Sequence, residues 1–345
     1  MLTHTQSLRS LSLIYPTGLL EDVAVAAVSS GLKKNTTLRE LTLKCCLRKA
    51  RTSILAPILT SLHDHPLLRR LCLRGYVTNL TGLETVLLRE NSKITDVEIN
   101  INTIYGGKPM IGVTHVMEAL GRHPHPTLTK LTLCRVCIGR YVARQLRTVL
   151  RNTPSLQSLV LSHNTLGSVG LAELAPALYR NTSIKVLNLS GNDLNDKESA
   201  RLLRDILRSN QTITTLDLSC NRFRKTTGAV ECIADGLGSN STLLKIDLSS
   251  CYLKYDGVST LAQTLGSRNK TLQKLILGSN SITSIRDRLW RACRNDGTEQ
   301  PPHYGSRPPV QLYWRRRSSS PSQVFRTQRI AKPHMPFSRL LQYRR

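Results

Sequence analysis

Aromatic side chains are scarce in this chain: two Trp, three Phe and ten Tyr make up 4% of 345 residues. Acidic residues are scarce as well, 22 Asp and Glu against 49 Lys and Arg, so the formal charge is +27. No apolar run approaches the roughly 20 residues that a membrane-spanning helix needs; the longest, Val23 to Val28 and Ile54 to Leu59, fall far short. Few aromatics leave little for nucleic-acid bases to stack on. Paired acids, histidine clusters and glycine-rich phosphate loops are also missing, so no catalytic constellation stands out. What is abundant is leucine, 57 of the 345 positions.

The leucines are periodic. Leu156-x-x-Leu159-x-Leu161-x-x-Asn164 recurs from Ile184 to Asn192, from Ile213 to Asn221, from Leu243 to Cys251 and from Leu272 to Asn280. Backwards along the chain the same frame opens at Leu128, Ile94, Leu68, Leu38 and Leu8. The nine intervals average about 29 residues, a period that belongs to stacked repeats. Leu-x-Leu alternates by two, as in a strand with one buried face, and further on apolar residues fall at i, i+3, i+4 and i+7, as in Leu171, Leu174, Ala175 and Leu178. Neither a strand nor a helix of this size buries its apolar face alone, so successive units must stack. The expected fold is an α/β solenoid, a horseshoe of about ten repeats with a parallel sheet inside and helices outside.

The ninth position of the units reads Cys46, Tyr76, Asn102, Val136, Asn164, Asn192, Asn221, Cys251 and Asn280. The backbone leaves the strand there and needs polar partners. An Asn side chain both donates and accepts, so Cys46, Asn102, Asn164, Asn192, Asn221, Cys251 and Asn280 are expected to form a structural ladder. Tyr76 and Val136 lack that capacity and the spacing near Ile94 is uneven, so units three to five should be the least regular, with 105–109 as a protruding loop.

This pattern resembles the ribonuclease-inhibitor-like class of leucine-rich repeats, which includes the repeat domains of NLR-type receptors and Ran GTPase-activating protein. The likeness covers roughly residues 8 to 295 and rests on the spacing, the Asn/Cys ninth position and the helix from Leu171 to Leu178 followed by Arg180-Asn181-Thr182. It implies a recognition scaffold; a GTPase-activating role is the rival it implies, although no residue of this chain can be matched to that activity.

Residues 1–295 form the expected solenoid, closed by a last helix containing Ile285, Leu289 and Trp290. Residues 296–345 hold seven of the fifteen prolines and ten Lys/Arg against two Asp/Glu, which reads as a basic, disordered tail. Within it Arg315-Arg316-Arg317-Ser318-Ser319-Ser320-Pro321 has the form of an import signal or kinase site. Met1 stands seven residues before the first register, which leaves no room for a polar cap; either a longer chain precedes it or the open end meets a partner. Nothing resembles an export signal, so the nine cysteines are expected as thiols in the cytoplasm or nucleus. Most of the Asn-x-Ser/Thr sequons, such as those at Asn181, Asn240 and Asn269, fall at one turn of the repeat, which explains them without glycans.

His123, His125, Cys134 and Cys137 have zinc-ligand types, but nearly a full strand separates the His pair from the Cys pair, on the order of 25–30 Å at about 3.3 Å per residue. Gly106-Gly107-Lys108-Pro109 lacks the phosphate-loop spacing. Ser162, His163 and Asp217 share an inner face, yet Ser162, Ser190, Ser219 and Ser249 form one repeat column. The reading is therefore no enzyme, no metal and no cofactor. Residues alternating with the buried leucines point into the concavity. Among the first units Arg39, Lys44, Arg69, Arg70 and Arg74 form a basic set, the expected binding site for an acidic protein partner. Nucleic acid, reached through the basic surface and tail, ranks below protein; no membrane partner is expected.

Overall fold

The computed structural model describes residues 7–15, 22–45, 55–75, 80, 82–89, 92–101, 111–123, 125–223, 228–280, 311–315 and 325–328. Strand and helix alternate along the chain. The first five layers are β1 (Ser10–Tyr15), α1 (Asp22–Lys34), β2 (Glu40–Cys45), α2 (Leu55–Ser61), β3 (Arg70–Gly75), α3 (Leu83–Leu87), β4 (Asp96–Ile101), α4 (Ile111–Arg122), β5 (Lys130–Cys134) and α5 (Arg140–Asn152). The next five are β6 (Ser158–Val160), α6 (Gly167–Arg180), β7 (Val186–Asn188), α7 (Lys197–Ser209), β8 (Thr215–Asp217), α8 (Ala229–Ser239), β9 (Lys245–Asp247), α9 (Lys254–Ser267) and β10 (Lys274–Ile276).

Strands β1 to β10 pair in sequence order, each parallel to the next. The register equals the repeat: Leu41 stands opposite Leu71, Leu71 opposite Val97, Leu131 opposite Leu159, and Leu216 opposite Ile246. Each of these is buried, while the residues between them face the other way, as a period of two dictates. The helices close the back. In α5, Val142, Ala143, Leu146, Val149 and Leu150 are buried, and α7 begins where the Asp196 side chain accepts from Ser199 N at 2.7 Å. One hydrophobic cluster runs through all layers from Val25 to Leu277. Adjacent helices pack 8–10 Å apart and adjacent strands about 4.8 Å apart, so stacking both in one layer bends the sheet to the inside. The α/β leucine-rich-repeat solenoid expected from the period is what is found.

The layers are not uniform. Strands β1 to β5 run five or six residues and β6 to β10 three, and α3, with five residues, is the shortest described helix. At the first edge Leu8, ahead of β1, and Leu11 and Leu13 within it are only partly buried. At the other edge the tail contributes β11 (Gln311–Arg315) and β12 (Phe325–Gln328), an antiparallel pair laid against β10. The expected loop at 105–109, the closing helix near Leu289, the ladder residues Cys46 and Asn102, and the rest of the tail lie outside the described residues.

Candidate interaction surface

Two ladders of side chains hold the layers in register and so shape both edges of the inner face. The first is the expected one. Asn192 donates from Nδ2 to Leu161 O at 2.7 Å, and its Oδ1 accepts from Asn164 N at 3.2 Å and Leu166 N at 3.3 Å. Asn221 repeats this one layer on, donating to Leu189 O and accepting from Asn192 N and Leu194 N. Asn164 donates to Leu133 O and accepts from Val136 N, so the valine of the fifth unit takes part through its backbone alone. Cys251 donates from Sγ to Leu218 O at 3.3 Å, and Asn280 below it donates to Leu248 O and accepts from Cys251 N. Burial pushes the Cys251 thiol far up.

The second ladder is made of the sequon asparagines. Asn210 donates to Leu178 O, Asn240 to Leu207 O and Asn269 to Leu237 O, and each Oδ1 accepts two backbone N–H groups at the start of the next strand. Their amides are buried and engaged, which is the physical reason the sequon recurs at one turn. In the third and fifth units histidine takes the place: His65 and His125 are both buried. His125 Nε2 meets Ser92 Oγ at 3.2 Å, and burial holds the imidazole below its ordinary value.

Between the ladders lies the inner face. Lys44 of β2 stands opposite Arg74 of β3, and Glu40 opposite Arg70. Like charges on adjacent strands repel. Relief comes from β4, where Glu98 stands opposite Cys72, midway between the two arginines. Arg74 grips it with both forks, Nε to Oε1 at 2.8 Å and Nη2 to Oε2 at 2.9 Å, and Arg70 Nη2 approaches Oε2 at 4.0 Å. Burial pushes the Glu98 carboxyl up, but the Arg74 bonds and the charges of Arg74 and Arg70 outweigh that and hold it below the usual range. Burial, then the Glu98 charge, push the Cys72 thiol up. Arg39 and Arg69 sit in the turns before β2 and β3, bonded backbone to backbone, Arg69 N to Arg39 O at 2.8 Å. Neither they nor Lys44 has a carboxylate within 4 Å among the described residues.

The five expected binding residues thus fall into two sets, Arg70 and Arg74 sharing Glu98, and Arg39, Lys44 and Arg69 without an ion pair. Glu98 was missed because the basic set was read from the first three units, while its partner strand belongs to the fourth. The signal was there: a shift of 26 residues aligns Arg70-Cys72-Arg74 with Asp96-Glu98-Asn100. Over β2 to β10 the upward-facing strand positions hold six cations (Lys44, Arg70, Arg74, Lys130, Lys245, Lys274) and five anions (Glu40, Asp96, Glu98, Asp217, Asp247). The inner sheet itself is close to neutral, and Arg39 and Arg69 lie in the turns just before it.

Other constellations dissolve on geometry. Ser162 Oγ donates to Cys134 Sγ at 3.3 Å, the His163 ring lies over Gly191, and Asp217 accepts from Asn188 Nδ2 and Ser219 N. They share a face without forming a relay. His125 is committed to Ser92 and Cys134 to Ser162, at opposite ends of β5. Among the described residues no cluster of three or more His, Cys, Asp or Glu side chains could hold a metal, and no helix is long and apolar enough to cross a membrane.

The family model for leucine-rich repeats matches residues 153–175, 180–197, 209–225 and 239–262. NACHT, LRR and PYD domains-containing protein 13 of Homo sapiens is 36% identical over 122 residues, 35% of this chain and 11% of that protein. Ribonuclease inhibitor of Sus scrofa is 27% identical over 166 residues, 39% of this chain and 36% of the inhibitor. The chain therefore spans well under half the length of either relative. The solved leucine-rich repeat-containing protein LegL7 of Legionella pneumophila is 20% identical with a TM-score of 0.49, covering 86% of this chain and 93% of that one.

Proposed function

We propose that this chain, a leucine-rich-repeat protein of the ribonuclease-inhibitor-like kind similar to the repeat domains of NLR-type receptors, is a non-catalytic scaffold that grips an acidic protein segment at the N-terminal end of its concave face. Repeat domains of this class serve protein–protein interaction. The observation that supports the finer reading is the pair of arginine sets around β2 and β3. Arg39, Lys44 and Arg69 have no carboxylate within 4 Å among the described residues, while Arg70 and Arg74 already hold one, Glu98, in the geometry an incoming carboxylate would adopt. Glu98 keeps the basic column folded when empty, and a partner carboxylate joins or replaces it. Neither GTPase activation nor nucleic-acid binding has residues of this chain assigned to it. Cys72, Cys134, Cys220, Cys232 and Cys251 are free thiols, in keeping with a reducing compartment such as the cytoplasm.

The test is affinity purification followed by binding titrations with the purified partner. Affinity should fall steeply between low and high salt. Arg70→Glu with Arg74→Glu should abolish binding, and Glu98→Gln should strengthen it. Unchanged binding in the double reversal would dispose of the reading.

A further inference from the structure

Basic residues recur in the last turn of the outer helices, Arg122 in α4, Arg151 in α5, Arg180 in α6 and Arg208 in α7, where they offset the negative pole of the helix. The outer two of these four also find a carboxylate: Arg122 meets Glu118 at 3.9 Å, and Arg208 meets Asp235 at 2.6 Å. Arg151 and Arg180 have none within 4 Å among the described residues, and neither has Lys185 in the turn before β7. All three line a single open cleft of about 920 Å³, between the C-terminal ends of α5 and α6 and the turns that enter β6 and β7. No Asp or Glu lines it.

The cleft has two kinds of wall. Leu150, Pro154 and Pro176 are apolar, and the half-buried Tyr179 ring stands beside them. Pro176 lies inside α6 and adds its ring carbons to that wall. The helix ends do not spoil the site for an anion. Two C-termini contribute about half a negative charge each against three full cations, leaving a net charge of roughly +2. One end carbonyl of each helix is already occupied, Leu150 O by Asn181 Nδ2 at 3.4 Å and Leu178 O by Asn210 Nδ2 at 2.8 Å.

We propose that this cleft binds a small organic phosphate monoester, its phosphate held by Arg151, Arg180 and Lys185 and its flat apolar part laid against Pro154, Pro176 and Tyr179. A phosphate dianion matches the net charge, and guanidinium forks match its oxygens better than a point charge does. The volume is far more than a bare anion fills and lies within the 300–1,000 Å³ usual for small-molecule sites. The site lies three repeats from Arg69 and four from Arg39, and the inference does not rest on the concave-face reading.

Calorimetric titration of the full chain with phenyl phosphate, adenosine monophosphate and inorganic phosphate tests it. The organic probes should bind saturably at one site, with a Kd of about 1 mM or tighter, and about tenfold better than inorganic phosphate. Arg151→Gln with Arg180→Gln should weaken them more than tenfold, with the circular dichroism spectrum retained; Lys185→Glu, which lies outside any helix, should do the same. Lys33→Gln with Lys34→Gln, basic residues in the last turn of α1 and outside the cleft, should leave the titration unchanged. No saturable binding of the organic probes up to about 10 mM, equal binding of inorganic phosphate, or binding retained in the Arg151/Arg180 variant would overturn the assignment.

Discussion

Replacing Asn192 by Ala should be among the costliest single changes available in the chain, and the reason can be counted. The side chain is fully buried and makes four contacts with backbone groups: it donates to Leu161 O and Ser190 O and accepts from Asn164 N and Leu166 N. Ser190 O keeps a second donor, His163 N at 2.8 Å, so it stays satisfied. Two N–H groups and the Leu161 carbonyl are left without partners. Each orphaned buried group costs about 1–3 kcal/mol, so the loss should come to about 3–6 kcal/mol after local relaxation. In thermal melts followed by circular dichroism this corresponds to a fall in Tm of roughly 5–15 °C. Because a solenoid is a row of coupled layers, the damage should be local before it is global. Amide exchange should therefore accelerate first in β6 and β7, on either side of the gap. The opposite change supplies a control of opposite sign: Cys251→Asn replaces the weak sulfur acceptor that the Asn221 N–H now uses by an amide oxygen and should stabilise by about 1 kcal/mol. A measured loss below about 1 kcal/mol for Asn192→Ala would mean the ladder is incidental to layer cohesion, and the counting above would be wrong.

Two further outcomes follow from buried titratable groups. Burial depresses the folded-state pKa of His125, and of His65, below the ordinary 6.5, so the unfolded chain binds protons first as pH falls. Stability is then fully present above about 6.5 and declines as pH drops through the interval down to the folded-state values. Urea titrations between pH 5 and 7 should record this decline, and His125→Asn, which installs the residue that Asn181, Asn210, Asn240 and Asn269 supply in later units, should flatten it; an unchanged slope would count against burial as its cause. Among the described thiols, Cys220 is exposed and Cys251 is buried with its thiolate disfavoured, so native alkylation mapped by mass spectrometry should modify Cys220 well before Cys251.

The distribution of charge bears on how such a chain selects partners. A formal excess of +27 suggests a uniformly basic surface, yet the sheet positions facing the concavity nearly cancel. Glu173 shows the same behaviour on the outside, where Arg140, Arg144 and Arg147 of α5 converge on it at 2.8, 3.3 and 3.3 Å. The Arg140 and Arg144 bonds hold that carboxyl below its usual range, while the helix keeps a surplus of cations. Net charge therefore says little about any one surface: Arg39, Lys44 and Arg69 around β2 and β3, and Arg151, Arg180 and Lys185 in the α5–α6 cleft, are among the cations with no carboxylate within 4 Å among the described residues.

How much of this was legible in the chain depends on whether a contact runs along the repeat or across it. The column of Leu41, Leu71, Val97 and Leu131, and the Asn ladder, repeat the same residue at the same phase, so periodicity alone places them. Asn210, Asn240 and Asn269 were legible only as sequons at one turn, because their partners are carbonyls of the preceding layer, which carry no residue identity. Glu98 was hidden for a different reason: its charge matters through its offset from Arg70 and Arg74, and reading that offset requires the 26-residue step rather than the average one. The α5–α6 cleft was less legible still. It exists because the C-terminal ends of two helices and two strand-entry turns enclose it, and its charge comes from Arg151 and Arg180, which among the described residues lack the carboxylate that Arg122 and Arg208 have. A repeat pattern specifies what every layer shares, and function in a solenoid is written in the positions where one layer departs from its neighbours.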